Sequence, residues 1–337
     1  MAKVNKTFII AEIGVNHNGS IKTAKKLIDI AKKCGADAVK FQTFLVDEIV
    51  TKYVKKANYQ KLNEKKSSTQ FEMLSKLEFS NKDFLSLRDY CKKKNIEFMS
   101  TPFDIQSAKF LETLSVKKIK IASGEITNLP LLKYLGSLNK NLILSTGMAK
   151  FSEVNAALML LISSGTSKSK ITILQCTTDY PASYSDVNLN AMISMKNKLK
   201  IKIGYSDHTL GIEVPIAAVA LGAQVIEKHI TIDKKMKGPD HKSSLEEFEF
   251  NQMVKSIRNI ETSMGISSKK PSSSESKNLN VIRKFIVASS DIKKGEFFSK
   301  NNIGVKRSQG GISPMNFEKI LGNKAKKNYK KDQIISV

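Results

Sequence analysis

A barrel of eight alternating strands and helices, followed by a small β-rich domain, is the fold the sequence predicts. Three observations carry it. Eight short β-branched or apolar runs recur through the first three-quarters of the 337-residue chain, helix-like segments separate most of them, and a Ser- and Lys-rich stretch, "GISSKKPSSSESKN" (265–278), sets off the remainder. Strand–helix alternation produces a parallel sheet, and eight such units in about 250 residues is the arithmetic of a (β/α)8 TIM barrel. A doubly wound open sheet is the alternative, but no GxGxxG fingerprint opens the first helix.

The strand runs are "TFIIAEIG", "ADAVKFQTF", "IEFMSTPF", "KIKIASGE", "NLILSTGM", "ITILQCTT", "IKIGYSDH" and "AQVIEKHI". Helices are expected over 20–34, 81–94, 104–115, 129–137, 151–165, 187–198, 211–221 and 245–263. In the first of these, Ala24, Leu27, Ile28 and Ala31 recur at helical spacing. Residues 44–80 break the rhythm: they are polar and Lys-rich, with one short helical candidate in "STQFEMLSKLEF", and a loop that long in a compact domain is often a functional lid. The organisation expected is a barrel over 1–264, a linker over 265–279 and a mostly β domain over 280–337.

Composition narrows the function. With 41% hydrophobic residues the chain can bury a real core. It has no run of about 18 apolar residues, and its N-terminus lacks the apolar stretch and cleavage site of a signal peptide, so a cytoplasmic protein is expected. Cys34, Cys91 and Cys176 are odd in number and form no CxxC, which suggests neither a disulfide framework nor a zinc ribbon. A net charge of +25 invites a nucleic-acid reading, yet the basic residues are nearly all lysine and there is no Trp. Nucleic-acid readers lean on arginine and stacking aromatics, so solvated lysine faces account for the charge better. Its field still favours anionic small molecules.

Active sites of such barrels lie at the C-terminal ends of the strands, and all eight ends here are hydrophilic. They carry Glu12 with Asn16 and His17; Lys40 and Gln42; Ser100 and Thr101; Lys120, Ser123 and Glu125; Ser145 and Thr146; Thr177, Thr178 and Tyr180; Ser206, Asp207 and His208; and Glu227 with His229. A single Ser or Thr after a strand is usually a turn or cap, and a lone histidine is more often packed than a ligand. Convergence of all eight ends is harder to explain structurally. His208 and His229, on adjacent strands, can grip one divalent cation and leave positions open for water and substrate. With no cysteine expected nearby and carboxylates at hand, Mn²⁺ or Mg²⁺ suits the set, with Glu227 and Asp207 as orienting partners. Lys40 and Lys120, with Thr101, Ser123 and Ser206, make a candidate site for phosphate and carboxylate. A metal-free aldolase using one of these lysines as a Schiff base is the competing reading.

These residues resemble the sialic acid synthase family, whose members condense phosphoenolpyruvate with an N-acylated amino sugar. The resemblance rests on "AEIGVNHNGS" (11–20), "VKFQTF" (39–44), "STPFD" (100–104), "ASGEITNLPLL" (122–132), "STGMA" (145–149), "CTTDYP" (176–181), "GYSDHT" (204–209), "EKHIT" (227–231) and "GPDHKSS" (238–244), in order. The tail, with "DIKKGEFFSKNNIGVKR" (291–307), resembles the antifreeze-like (SAF) domain.

The resemblance implies that His208 and His229 bind the metal, and that Lys40, Thr101, Lys120, Ser123, Thr178 and Ser206 hold phosphoenolpyruvate. Thr178 stands where some members have asparagine. It further implies sugar contacts from Gln42, Tyr180, Asp240 and Arg307, with Glu12 and Glu125 as catalytic carboxylates. Arg307 would reach the sugar of a partner subunit in a domain-swapped homodimer. The activity implied is N-acetylneuraminate synthesis from N-acetylmannosamine; synthesis of a legionaminic or pseudaminic acid from a 6-deoxy diacetamido sugar is the alternative.

Overall fold

The computed structural model describes residues 6–56 and 69–336; the middle of the polar stretch expected to form a lid lies outside them. The chain divides into two compact units, Met1–Gly265 and Ile266–Val337. In the first, eight parallel strands close into a barrel in sequence order. They are β1 (Phe8–Gly14), β2 (Ala38–Thr43), β3 (Glu97–Pro102), β4 (Lys118–Ile121), β5 (Asn141–Ser145), β6 (Ile171–Cys176), β7 (Lys202–Asp207) and β8 (Val225–His229). A helix follows each strand: α1 (Ile21–Lys33), α2 (Asn81–Lys94), α3 (Ile105–Thr113), α4 (Leu129–Ser137), α5 (Phe151–Ser163), α6 (Leu189–Leu199), α7 (Glu213–Ala220) and α8 (Glu247–Ser263). The eight runs and the helical segments read from sequence all form.

Local chemistry explains the boundaries. Ser20 accepts a hydrogen bond from the Thr23 N–H and starts α1, whose Ala24, Leu27, Ile28 and Ala31 are buried against the barrel. Ser80 and Asp83 form a reciprocal capping box at the start of α2. The Asp104 carboxylate caps α3 through the Ser107 N–H and also accepts from the Leu45 N–H at 3.0 Å, tying the β2 loop to β3. Within 44–80 a short helix, Gln70–Ser75, forms behind its own Thr69–Glu72 capping box.

Side chains alternate across each strand, so every second residue enters the barrel. Ile10, Ala38, Met99, Ile143, Leu174 and Val225 meet there as a dry plug. Gly204 belongs to this layer, where a Cβ would lie 2.3 Å from the Val225 carbonyl oxygen. The outward residues, among them Ile9, Phe41, Ile119 and Ile203, pack against helix residues such as Leu27 and Leu87 in the main core.

In the second unit, β9 (Lys284–Ala288) pairs antiparallel with β10 (Ile303–Arg307). Isolated bridges at 287–334, 292–329 and 297–324 surround this sheet. Ile286, Phe298, Ile303, Ile320 and Tyr329 form its core. The segment read as linker is not wholly irregular: Ser273–Ile282 is a helix, started by a Ser272–Glu275 capping box. Its Ser-rich start conceals an S-x-x-E signature followed by Leu279, Val281 and Ile282. No described helix is long and apolar enough to cross a membrane.

Candidate active site

Two residues beyond the plug, the same strands turn polar. Ile10 gives way to Glu12, Ala38 to Lys40, Met99 to Thr101, Ile143 to Ser145, Leu174 to Cys176 and Val225 to Glu227. These side chains open into a cavity of about 370 Å³ at the C-terminal mouth of the barrel. Of the strand-end residues named from sequence, Glu12, Lys40, Gln42, Thr101, Lys120, Ser123, Glu125, Ser145, Thr178, Tyr180, Ser206, His208, Glu227 and His229 line it, as does Asp240. Asn16, His17, Ser100, Thr146, Thr177 and Asp207 do not. Arg307 ends β10 in the other unit, where its side chain is exposed.

Charge is concentrated in the floor. Lys40 Nζ lies 2.8 Å from Glu12 Oε2 and 3.8 Å from Glu227 Oε2, and donates to Thr101 Oγ1 at 3.0 Å. Lys120 Nζ is 3.5 Å from Glu227 Oε1, which also accepts from Ser206 at 3.0 Å. Gln42 donates to Glu12 Oε1 at 3.3 Å. Burial pushes Glu12 up to about 7; Lys40 opposes that rise and Glu227 adds to it. Burial works against the Lys40 ammonium, but the Glu12 and Glu227 carboxylates outweigh it and raise its pKa. For Lys120 burial wins and the pKa falls. Lys40 does not snorkel to the surface: it is 3% exposed.

Ser145 Oγ, Thr178 Oγ1, Glu227 Oε2 and His229 Nδ1 are buried without a hydrogen-bond partner. Buried polar atoms are normally satisfied, so a group of orphans around one cavity marks the place where a polar ligand belongs. Gly147 closes the rim tightly: its N–H donates to Ser123 Oγ at 2.9 Å, and a Cβ there would lie 2.0 Å from Thr178 Oγ1.

The two histidines face each other across β7 and β8, ring centroids 5.5 Å apart. His208 Nδ1 lies 2.7 Å from the Thr177 carbonyl oxygen. A carbonyl can only accept, so Nδ1 donates there and Nε2 remains as the available lone pair. Burial, then the neighbouring His208, hold the His229 pKa well below its ordinary value, so this ring is neutral and able to ligate. Burial opposes charge on His208, yet Cys176 and the Thr177 carbonyl outweigh it and raise its pKa. Asp240 Oδ2 stands 3.9 Å from the orphaned His229 Nδ1. The pair therefore fits a divalent cation, with further ligands left to water or substrate. Among the described residues no set of three or more His, Cys, Asp or Glu side chains could hold a metal on its own.

Two readings from sequence change. Asp207, expected as an orienting partner of the histidines, lies outside the cavity, because strand alternation sends it outward, where it meets Lys228 and Thr209. Glu227 is more than an orienter, since it bridges both lysines. Its place two residues after the plug residue Val225 was the available signal. Sequence reasoning also missed an apolar wall: Phe44, Ile49, Val50, Met73, Leu74 and Phe103 line the same cavity and pack together with Val15. Nothing in their spacing indicates that this patch faces a ligand.

Fold and site together define a (β/α)8-barrel enzyme with a buried lysine–glutamate floor and two histidines at its mouth. Residues 27–269 match the NeuB family and residues 283–336 the SAF domain. The chain is 52% identical to the N,N'-diacetyllegionaminic acid synthase of Campylobacter jejuni, covering 98% of this chain and 99% of that protein. It is 48% identical to the enzyme of the same name from Legionella pneumophila, covering 95% and 91%. The crystal structure of a Leptospira borgpetersenii N-acetylneuraminic acid synthetase superposes with a TM-score of 0.71 at 35% identity, covering 82% of this chain and 91% of that one. The chain belongs to the NeuB family.

Proposed function

We propose that the protein is a nonulosonic acid synthase that condenses phosphoenolpyruvate with a 6-deoxy diacetamido amino sugar, giving a legionaminic-type acid and phosphate. The observation that carries the reaction type is the convergence of Lys40, Lys120 and the orphaned hydroxyls of Ser145 and Thr178 beside His208 and His229 in one cavity. The expected substrate N-acetylmannosamine gives way to the diacetamido sugar on the comparisons, 52% and 48% identity to legionaminic acid synthases against 35% to the sialic acid synthetase. The apolar wall agrees, because a 6-deoxy sugar with two acetyl groups offers methyls to it.

Lys40 and Lys120, with Thr101, Ser123, Thr178 and Ser206, hold the phosphate and carboxylate of phosphoenolpyruvate. An anion drawing Lys40 away from Glu12 removes the charge that favours the ionised carboxyl, so Glu12 keeps its proton at neutral pH. We assign to it the delivery of that proton to the aldehyde oxygen as C3 of phosphoenolpyruvate bonds to the sugar carbonyl carbon. Water adds at C2, giving up a proton that restores Glu12, and the tetrahedral intermediate expels phosphate by C–O cleavage; Glu227 and Glu125 face the positive charge that develops at C2. A divalent cation such as Mn²⁺ or Mg²⁺, held by His208 and His229, supplies Lewis acidity toward the aldehyde. Gln42, Tyr180 and Asp240 orient the sugar. Arg307 is assigned to the N-acyl group in a partner subunit's site, which makes the working unit a homodimer. The use of phosphoenolpyruvate, a metabolic intermediate, supports a cytoplasmic reaction.

The test is phosphate release in Mn²⁺ with 2,4-diacetamido-2,4,6-trideoxymannose and N-acetylmannosamine in parallel, with EDTA as control. Faster turnover of the first supports the reading, faster turnover of the second makes the protein an N-acetylneuraminate synthase, and release with neither overturns it.

A further inference from the structure

Asp207 and Lys228 are ionisable side chains with no solvent exposure at all. They are register partners on β7 and β8. Both point out of the barrel, since Ser206 and Glu227, one residue earlier on each strand, meet inside it. Each immediately precedes a site histidine. Lys228 Nζ donates to Asp207 Oδ2 and to the Thr209 carbonyl oxygen. Asp207 Oδ1 accepts from the Thr209 N–H at 3.1 Å and its hydroxyl at 3.0 Å. Lys228 thus reaches from β8 to both ends of the tripeptide whose middle residue is His208.

Removing two charges from water costs several kcal/mol per ion, and an apolar pair of similar volume is often equally stable or more so. Stability alone therefore gives no reason for a lysine and an aspartate here. Direction does. The backbone ladder between β7 and β8 ends at Asp207 and Lys228, so it does not itself place His208 in the turn beyond. An apolar contact would not fix that turn, whereas the Lys228 ammonium, bound to Asp207 and the Thr209 carbonyl, ties it to β8. What that tie controls is the distance between the two imidazoles, 5.5 Å between ring centroids.

We propose that the Asp207–Lys228 pair is a positioning device that sets the spacing of His208 and His229 for a single divalent cation. The inference rests on the metal reading above. It is tested on the full-length protein by titrating Mn²⁺, following the free-ion EPR signal, with metal-free thermal melts alongside. Lys228→Met alone leaves a buried unpaired carboxylate and endangers folding, whereas in Asp207→Asn the lysine keeps the Thr209 carbonyl as acceptor and can shed its proton. The informative variants are therefore Asp207→Asn and the double change Asp207→Asn/Lys228→Met. The double variant should melt close to wild type, as replaced buried pairs do, and bind Mn²⁺ about 10- to 100-fold more weakly, the usual effect of losing an outer-shell partner. Asp207→Asn, which keeps an oxygen for Thr209, should show a smaller loss. Wild-type affinity in the double variant would overturn the proposal; if that variant does not melt cooperatively, unchanged affinity in Asp207→Asn does so. Absence of Mn²⁺ binding by the wild type overturns the proposal and the metal reading together.

Discussion

Glu12 and Lys40 are register partners on adjacent strands, and their side chains meet inside the barrel at 2.8 Å with almost no exposure. A second carboxylate, Glu227, stands 3.8 Å from the same ammonium. Glu227 also has Lys120 at 3.5 Å, whereas Glu12 has Lys40 as its one close cation, so burial penalises the ionised form of Glu12 more. Lys120 and Lys40 outweigh burial at Glu227 and lower its pKa, while that of Glu12 rises to about 7. The floor thus separates two chemically identical side chains into a fixed anion and a proton carrier.

That separation predicts the pH profile. A carboxyl that must carry a proton is fully competent below its pKa and loses competence as pH rises through it. kcat/KM should therefore fall as pH rises through about 7, the value for Glu12 in the free protein. Glu12→Gln should flatten this limb and lower kcat by about 100-fold or more, in line with the size of general acid catalysis. A limb that instead rises through the same pH would assign Glu12 as the base that activates water.

Stability should respond to acid through a different group. His17 is buried, stacks on Phe79 with centroids 4.0 Å apart, and accepts the Gly19 N–H at 3.0 Å. Burial, helped by His241, lowers its pKa to about 3. A depressed histidine is neutral in the folded protein and protonates first in the unfolded chain. Its contribution is therefore complete above the ordinary value near 6.5 and is lost as pH falls from there toward 3. His17→Phe keeps the stacking and leaves the Gly19 N–H unpaired, so it should cost about 1–2 kcal/mol at pH 7.5. The gap should close, and then reverse, as denaturant melts are taken down to pH 4.

The barrel was readable because its strands are period-2 segments between capped helices, and because polar residues recur at every strand's C-terminal end. Glu12, Lys40, Ser206 and His229 could be named for that reason. The side of the strand to which a polar residue points is set by register, and there the sequence is silent. Asp207 and Ser206 are neighbours of similar polarity, yet only Ser206 faces the cavity. The apolar wall was hidden for a related reason: Leu74 and Met73 are indistinguishable from core residues until the cavity beside them is seen. The helix at Ser273–Ile282 was masked by a composition typical of linkers.

The wall should control the choice of sugar. A hydroxyl set against apolar side chains without a partner costs about 1–3 kcal/mol, and a lost methyl contact about 0.8 kcal/mol. Leu74→Asn or Met73→Gln should lower kcat/KM for the 6-deoxy diacetamido sugar about tenfold while changing that for N-acetylmannosamine much less. An unchanged ratio of the two would place the sugar's methyls elsewhere.

Arg307 provides a test across subunits. Its replacement by Ala should raise the KM for the sugar by about 10-fold or more, the loss of a charge-assisted contact, and leave Mn²⁺ affinity unchanged. An unchanged sugar KM would remove Arg307 from the site. Mixing Arg307→Ala with His229→Ala protein should restore about a quarter of the activity if the site is completed in trans, since one subunit pairing then assembles an intact site.

Lys120 decides between the synthase and its oldest competitor in this fold. Burial lowers its pKa, only partly offset by Glu227, and a depressed lysine is what Schiff-base chemistry uses. Its surroundings favour the other role. Lys120 lies 3.5 Å from Glu227, feels the charge of Lys40, and lines the same cavity as the orphaned hydroxyl of Thr178. An anion bound in this cavity therefore has two lysines and an unsatisfied hydroxyl to draw on. An anion would also return the pKa of Lys120 upward and suppress its nucleophilicity. Borohydride added during turnover should leave activity intact and add no mass to the protein, whereas EDTA should abolish phosphate release. Lys120→Ala should raise the KM for phosphoenolpyruvate by about 10- to 100-fold, the loss of one charge-assisted contact of about 1.5–3 kcal/mol, and spare that for the sugar. A borohydride-trapped adduct on Lys120 with chelator-insensitive turnover would replace the metal-dependent synthase by a lysine aldolase on the same barrel.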